Sequence, residues 1–377
     1  MEYRFFNDEN KSVSLLGFGT MRLPVVGNNN NEIDEDAAIE MIRFAIDNGV
    51  NYVDTAYMYH GGKSEVVTGK ALKDGYREKV LLADKMPVWM GSTPAEIEAI
   101  FQDQLKRLGV ECIDMYLVHA LNESLWARTL KLGTLDFLER MKAEGKIKHI
   151  GFSFHDELPF FKSLIDAYPW EFCQIQLNYM DTNFQAGIEG LKYSVSKNIP
   201  VIVMEPLKGG KLTDNIPASI KNIWASSESK CTPAEWAFKW VASQDGVFTI
   251  LSGMSDLDQV KQNIEIFSGD KIKPLTKSER ETLEKVGLEY NNLIKASCTS
   301  CQYCMPCPQK IDIPTCLNYY NEWFLFDKNP KVLDDFKMFT NPKARPQHCT
   351  ACRLCEEKCP QHLPISDLMK AITEEFK

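Results

Sequence analysis

From about residue 12 to residue 265, short β-branched apolar runs alternate with longer stretches whose apolar residues recur every three or four positions. The runs Val50–Asp54, Val80–Ala83, Met115–Val118, Ile147–Phe152, Cys173–Leu177, Ile199–Val203 and Val247–Leu251 predict strands. Between them, Asp36–Asn48, Pro94–Leu108, Thr129–Glu144 and Leu158–Ala167 predict helices. Alternation over that length predicts an α/β fold, either a (β/α)8 TIM barrel or a doubly wound sheet. The glycine-rich stretch Leu16-Gly17-Phe18-Gly19-Thr20 is not G-x-G-x-x-G, and no acidic ribose partner follows at the usual distance. The barrel is therefore the prediction. Arg4–Phe6 and Ser12–Leu16 flank a turn at Asn7–Asn10 and predict a hairpin, which would close the bottom of the barrel. The polar loop Asn28–Asn31 carries no motif.

A further helix is predicted over Leu275–Ile294, after which the pattern changes to cysteine, proline and short helical pieces. The division expected is a barrel over residues 1–289 and a small, mainly helical domain over residues 290–377. A length of 377 residues suits one large domain and a small one. The net charge of −9 argues against binding a nucleic-acid backbone, which needs clustered Lys and Arg. No stretch of 18 apolar residues occurs, and the start MEYRFFNDENK has no apolar signal core. The expectation is a cytoplasmic protein with neither a membrane nor a nucleic-acid partner.

Three of the predicted strands end on polar groups: Asp54 followed by Tyr57 and Tyr59, Asp84-Lys85, and His119. In a TIM barrel the C-terminal strand ends carry the site. A single tyrosine or histidine there is ordinarily structural; the argument rests on four groups at three successive strand ends. Reducing a carbonyl needs an acid for the growing alkoxide. Tyrosine, with a pKa of about 10, serves only if a cation stabilises its phenolate. Lys85 can supply that cation, Asp54 can hold Lys85, and His119 can orient the carbonyl oxygen. His149 and His155 lie near the fourth strand end, where each also suits a hydrogen-bonded loop role. Trp89 and Trp126 suit either a substrate pocket or packing.

These residues resemble the Asp–Tyr–Lys–His tetrad of the aldo-keto reductases, over roughly residues 12–265. The family spacing selects Tyr59 over Tyr57 and implies Asp54, Tyr59, Lys85 and His119 as catalytic groups. It implies NAD(P)H as cofactor and a small carbonyl compound as substrate. The family's cofactor positions fall on Gly19 and Thr20 after the first barrel strand, and on Ser153 and Gln174 at the nicotinamide carboxamide. They fall on Pro206, Leu207, Gly209 and Lys211 at the pyrophosphate, and on Gly253, Ser255, Gln259 and Asn263 around the adenosine. Three departures stand out: Phe154 for the usual Asn, Met204 for the usual stacking Tyr, and an adenosine loop with Asp256 and no Lys or Arg. A 2′-phosphate is usually held by such cations, so NADH is expected to serve at least comparably to NADPH.

Of twelve cysteines, eight fall in two runs, Cys298–Cys307 and Cys349–Cys359, while Cys112, Cys173, Cys231 and Cys316 stand apart. In a reducing compartment clustered thiols indicate metal. The run Cys349-x2-Cys352-x2-Cys355-x3-Cys359-Pro360 has bacterial ferredoxin spacing, in which the fourth thiolate serves the other cluster. The run Cys298-x2-Cys301-x2-Cys304-x2-Cys307-Pro308 is one residue shorter before its last cysteine. Two [4Fe–4S] clusters follow, with Cys298, Cys301, Cys304 and Cys359 on one and Cys349, Cys352, Cys355 and Cys307 on the other. Cys316 is the substitute should Cys307 not reach. The alternative is a pair of structural zinc sites, which needs no Cys-Pro after a CxxCxxC triple. Pro314–Phe326 and Pro330–Phe339 predict helices, with Leu317, Tyr320, Phe324 and Leu325 on one apolar face, so this part resembles an α-helical ferredoxin.

Three functions fit this combination. The first is a carbonyl reductase with clusters as a structural or oxygen-sensing appendage. The second is a redox enzyme whose clusters pass single electrons between the barrel and a ferredoxin- or flavodoxin-type partner. The third is an electron carrier with an idle barrel. The intact tetrad counts against the third, and the lack of a flavin motif against the second, because something must convert a hydride into single electrons. The first is preferred.

Overall fold

Eight parallel strands close into a barrel in the computed structural model, which describes all residues except 7–10, 28, 215, 270, 299–303 and 360, and omits the side chains of Phe6, Lys11 and Asn291. The hairpin turn at Asn7–Asn10, Asn28, Cys301 and Pro360 thus lie outside the described residues. The strands are β1 (Tyr3–Phe6), β2 (Lys11–Ser14), β3 (Leu16–Gly19), β4 (Tyr52–Asp54), β5 (Leu81–Met86), β6 (Ile113–Leu121), β7 (Ile147–Phe154), β8 (Phe172–Gln176), β9 (Val201–Met204) and β10 (Val247–Gly253). The barrel runs in chain order from β3 to β10, and β10 returns to pair with β3. The chain divides into two compact units, residues 1–209 with 234–275 and residues 210–233 with 276–377.

In the first unit β1 and β2 pair antiparallel as the predicted hairpin. The predicted strand Ser12–Leu16 is two strands, because Ser14 ends β2 and turns its hydroxyl onto the Leu16 carbonyl at 2.7 Å. Val13 packs into the barrel interior with Tyr52, Ala83, Met115, Leu117, Phe172, Ile202, Phe248 and Leu251. The Arg4 guanidinium donates to the carbonyls of Ala242 and Val247, and the Thr249 hydroxyl to that of Ser14. The hairpin closes that end of the barrel.

Side chains along a strand alternate between its two faces. The interior positions Gly17, Tyr52, Ala83, Leu117, Gly151, Phe172, Ile202 and Leu251 are therefore each followed two residues later by another inward position. Those are Gly19, Asp54, Lys85, His119, Ser153, Gln174, Met204 and Gly253. One ring of apolar residues and glycines thus floors a ring of five polar residues, two glycines and Met204. Gly151 is small for a reason: a Cβ there would come within 2.6 Å of the Phe172 ring.

The crossover helices α1 (Glu35–Asp47), α2 (Ser64–Ala71) and α3 (Pro94–Leu108) precede a pair, α4 (Glu123–Lys131) and α5 (Thr134–Ala143). The predicted helix Thr129–Glu144 is broken because Gly133 adopts φ +61°. Then come α6 (Leu158–Ala167), α7 (Gly187–Ser196), α8 (Ala218–Ser226), α9 (Pro233–Ala242) and α10 (Leu257–Ile266). Among the described residues no helix is long and apolar enough to cross a membrane.

The second unit contains α8, α11 (Lys277–Asn292), α12 (Ile313–Leu325), α13 (Pro330–Phe339), the single turn α14 (Leu354–Glu357) and α15 (Ile365–Glu375). Its core joins Ala296, Ile311, Ile313, Cys316, Leu317, Phe336, Ile365, Met369 and Ile372. The predicted helices over 314–326 and 330–339 are α12 and α13, with Leu317 in this core and Tyr320 against it. Asp312 and Asn329 cap them by accepting from Thr315 N and Lys331 N.

Gly69 in α2 marks a close approach to the end of α3. A Cβ there would lie 2.4 Å from the Leu108 carbonyl oxygen, a backbone atom that cannot swing aside. Helix propensity alone favours Ala over Gly by about 1 kcal/mol. The clash reverses the sign, so Gly69→Ala should destabilise the chain by more than about 2 kcal/mol. Urea unfolding followed by tryptophan fluorescence checks this; an equal or higher midpoint would refute the close packing.

Candidate active site

The polar ring is assembled by strand register. Asp54 lies opposite Ala83, and Lys85 opposite Leu117, so each chemical group stands two residues beyond the pairing of the strand before it. The Lys85 ammonium, fully buried, donates to Asp54 Oδ1 at 2.6 Å, to the Thr55 carbonyl at 2.8 Å and to the Tyr59 hydroxyl at 3.4 Å. The Tyr59 and His119 rings meet edge-on, with centroids 6.2 Å apart. Trp89 tilts against His119 at 5.1 Å, so it lines the site. All four tetrad residues come together.

Neighbouring groups decide which tyrosine and which histidine face the site. Tyr57 donates to Asp103 at 3.0 Å beneath the Arg107 guanidinium. His60 is buried, accepting from Leu23 N at 3.2 Å and bonded to the Asn30 carbonyl at 2.7 Å. His149 pairs with Glu171 at 2.8 Å, and Trp126 packs on Trp170. Each of these holds structure. His119 instead keeps a buried Nδ1 with no hydrogen-bond partner.

Burial works against the Lys85 ammonium, but Asp54 and Tyr59 more than offset it, and the group stays charged above the ordinary lysine range. Burial likewise outweighs Lys85 at Tyr59 and pushes its hydroxyl above the ordinary value of 10.0. The sequence argument had Lys85 easing the phenolate; in the folded chain the hydroxyl keeps its proton, loaded as an acid. Burial, then Lys85 and His155, push His119 well below the ordinary histidine range, so its imidazole is neutral. Behind Lys85, Asp84 accepts from its backbone N–H at 2.8 Å, and Gln104 Nε2 donates to both Asp84 and the Lys85 carbonyl. Thr20, Ser64 and Thr55 hydroxyls form a chain at 2.7 and 2.9 Å, with Thr20 also donating to the Asp54 carbonyl.

The expected cofactor positions divide. Gln174 has a buried Oε1 without a partner, which suits a carboxamide N–H. Ser153 Oγ accepts from Ala120 N at 2.7 Å and retains its own proton to donate. Phe154 turns into an aromatic cluster with Phe160 and Phe161, while Met204 Sδ accepts from Gln174 Nε2. Gly19 pairs with Gly253, so neither β3 nor β10 contributes a side chain at that pair. Pro206, Leu207 and Gly209 follow β9. Asp256 caps α10 through Gln259 N, Gln259 Oε1 returns to Ser255 N, and Asn263 donates to Ser252 Oγ. Lys211 belongs to the second unit, its ammonium 2.7 Å from Glu322 and 2.9 Å from Asp335.

The Aldo/keto reductase family model matches residues 15–287. The chain belongs to the aldo/keto reductase family. A 4Fe-4S dicluster domain model matches residues 297–364. Probable aldo-keto reductase 1 of Glycine max is 28% identical over 322 residues, covering 74% of this chain and 90% of that protein. The NADH-specific methylglyoxal reductase of Escherichia coli is 27% identical over 295 residues, covering 67% and 89%. The holo form of an aldo-keto reductase from Bacillus halodurans superposes with TM-score 0.64 at 26% identity, covering 76% of this chain and 96% of that one. The family's oxidoreductase barrel and an iron–sulfur domain thus share one chain.

In that domain Cys298, Cys304 and Cys307 from the first run pack against the same core as Cys349, Cys355 and Cys359 from the second. The Cys355 thiol is pushed up to about 11, by burial first and then by negative neighbours that include Cys307 and Cys352. Both runs thus lie on one core, as crossed ligation would require. Cys316 is buried in the core and pushed up to about 12 by burial, with Sγ toward the Ala344 carbonyl. It suits packing, not ligation. Among the described residues, which exclude Cys301, no three His, Cys, Asp or Glu already stand in metal-holding geometry.

These charge states set a pH dependence for reduction by the barrel. An acid whose pKa is raised keeps its proton below that value, so activity falls only as pH climbs past the ordinary tyrosine range. His119, already neutral, adds no ionisation near its ordinary value. The expected profile of kcat/KM is level from about pH 6 to about pH 9 and declines above about pH 10. An inflection near pH 6.5 would transfer the acid role to a histidine.

Proposed function

We propose that this chain reduces a small aldehyde or ketone, with Tyr59 as the acid and NADH or NADPH as the reductant. The observation that carries the reading is the buried Lys85 ammonium, salt-bridged to Asp54 and reaching the Tyr59 hydroxyl. The bound nicotinamide supplies a hydride to the carbonyl carbon. Tyr59 gives its proton to the oxygen, and the resulting phenolate stays beside Lys85, whose charge Asp54 maintains. His119, as a neutral imidazole, orients the carbonyl oxygen without competing as an acid. Ser153 and Gln174 would hold the carboxamide, and the side-chain-free Gly19–Gly253 pair would let the dinucleotide approach the backbone. The curated relative from Escherichia coli supports a small, activated carbonyl substrate and NADH use.

Tyr59→Phe should lower kcat for such a substrate by about 10²- to 10⁴-fold while leaving dinucleotide affinity nearly unchanged. Tyr57→Phe, whose hydroxyl is tied to Asp103, should keep most turnover. Steady-state kinetics with methylglyoxal, NADH and NADPH in parallel measure both effects and the cofactor preference. Retained turnover in Tyr59→Phe would remove it from the acid role, and a strong preference for NADPH would overturn the NADH reading.

The second domain, in the same proposal, holds two [4Fe–4S] clusters, one on Cys298, Cys301, Cys304 and Cys359 and one on Cys349, Cys352, Cys355 and Cys307. The clusters when bound exchange single electrons. Support comes from the intact second run and from the one core against which Cys307 and Cys355 both pack. Protein purified without oxygen should contain about eight iron and eight sulfide per chain, and Cys307→Ser should lose about half of each. Four iron in the unmutated chain, unchanged by Cys307→Ser, would mean one cluster. Zinc without visible absorbance would mean a structural module.

A further inference from the structure

We propose that Arg22 binds the pyrophosphate of the nicotinamide dinucleotide. This rests on the cofactor reading of the preceding subsection and adds a residue that the family positions carried over from sequence did not include.

Arg22 closes the short turn Thr20–Arg22 that follows β3. Its aliphatic stem lies along Gly253, where an added Cβ would come within 3.2 Å of Cγ and 3.3 Å of Cδ. Its head reaches Gly209, where an added Cβ would lie 2.7 Å from Nη2. The side chain therefore spans the loops after β10 and β9, across two positions that lack side chains. Those are the loops expected at the adenosine and the pyrophosphate.

The other cations nearby in sequence are engaged. Lys208 donates to Asp181 at 2.7 Å, and Lys211 lies between Glu322 and Asp335. Among the described residues Arg22 has only a 4.0 Å approach to Glu205, with the side chains 40% and 33% exposed. An exposed pair at that distance contributes little and is readily exchanged. Two phosphoryl groups arriving between Gly209 and Gly253 would offer the guanidinium better partners, because its planar fork matches phosphate oxygens in pairs. The Leu23 N–H bond to His60 fixes the backbone just after Arg22, so the arm swings from a held base.

The test is equilibrium binding of NADH and NADPH to the full chain, kept anaerobic, with Arg22→Met and Arg22→Lys. Arg22→Met should weaken both dinucleotides by a similar ~10- to 100-fold, the range lost with a charge-assisted hydrogen bond. Arg22→Lys should recover part of that loss, because it keeps the charge without the fork. A change under about twofold in Arg22→Met would overturn the proposal. So would a loss confined to NADPH, which would put Arg22 on the 2′-phosphate. If the unmutated chain binds neither dinucleotide, the cofactor reading itself fails and this one falls with it.

Discussion

The mouth of the barrel depends on keeping one ammonium group charged where its side chain meets no water. An isolated charge in such a place costs several kcal/mol and would shed its proton. Lys85 keeps its proton because Asp54 and the Thr55 carbonyl lie 2.6 and 2.8 Å away. Both acceptors are there because β4 ends opposite Ala83, two residues below Lys85. The backbone of Lys85 is pinned on both sides, its N–H by Asp84 and its carbonyl by Gln104. Strand register sets the ion pair, and the ion pair sets the environment of the Tyr59 proton.

Much of this was legible in the sequence because a barrel strand writes its site in a fixed phase. An apolar run that stops on Asp, Lys or His announces where the strand leaves the core, and three such stops identified the tetrad. Tyr57 and Tyr59 are harder, since both follow the same strand; the partners that occupy Tyr57, Asp103 and Arg107, come from α3 and leave no local trace. Lys211 fits the same limit. Its neighbours Glu322 and Asp335 lie more than a hundred residues on, and no periodicity links them. Gly133 was visible as a glycine, but an amphipathic pattern running through it disguised the break in the helix. Arg22 sits two residues past a turn that the sequence reading did use, and only three-dimensional proximity shows what it crosses.

The cysteine runs show the complementary case, where spacing carries more than local pattern. Two triples separated by α12 and α13 can meet only if those helices fold back, and one shared apolar core brings that about. Burial then sorts the thiols. Cys316 lies inside the core, where an anionic thiolate is costly, whereas Cys307 stays partly accessible. The residue missing before Cys307 does not keep it from the core that the second run shares.

The two halves of the chain nevertheless answer to different chemistry. Carbonyl reduction moves two electrons as a hydride together with one proton, and Tyr59, Lys85, Asp54 and His119 account for the proton and its charge. A cubane exchanges electrons singly. Each tetrad group has a proton or charge role in the proposed reaction: Tyr59 is a phenol, the Lys85–Asp54 pair steadies the phenolate it leaves, and His119 is neutral. In the proposed reduction the proton is therefore handled by the tetrad alone, without a one-electron carrier. Six described cysteines, partly buried, pack against the one core of the iron–sulfur domain, so a group held by those thiols would add to its stability as well as carry electrons.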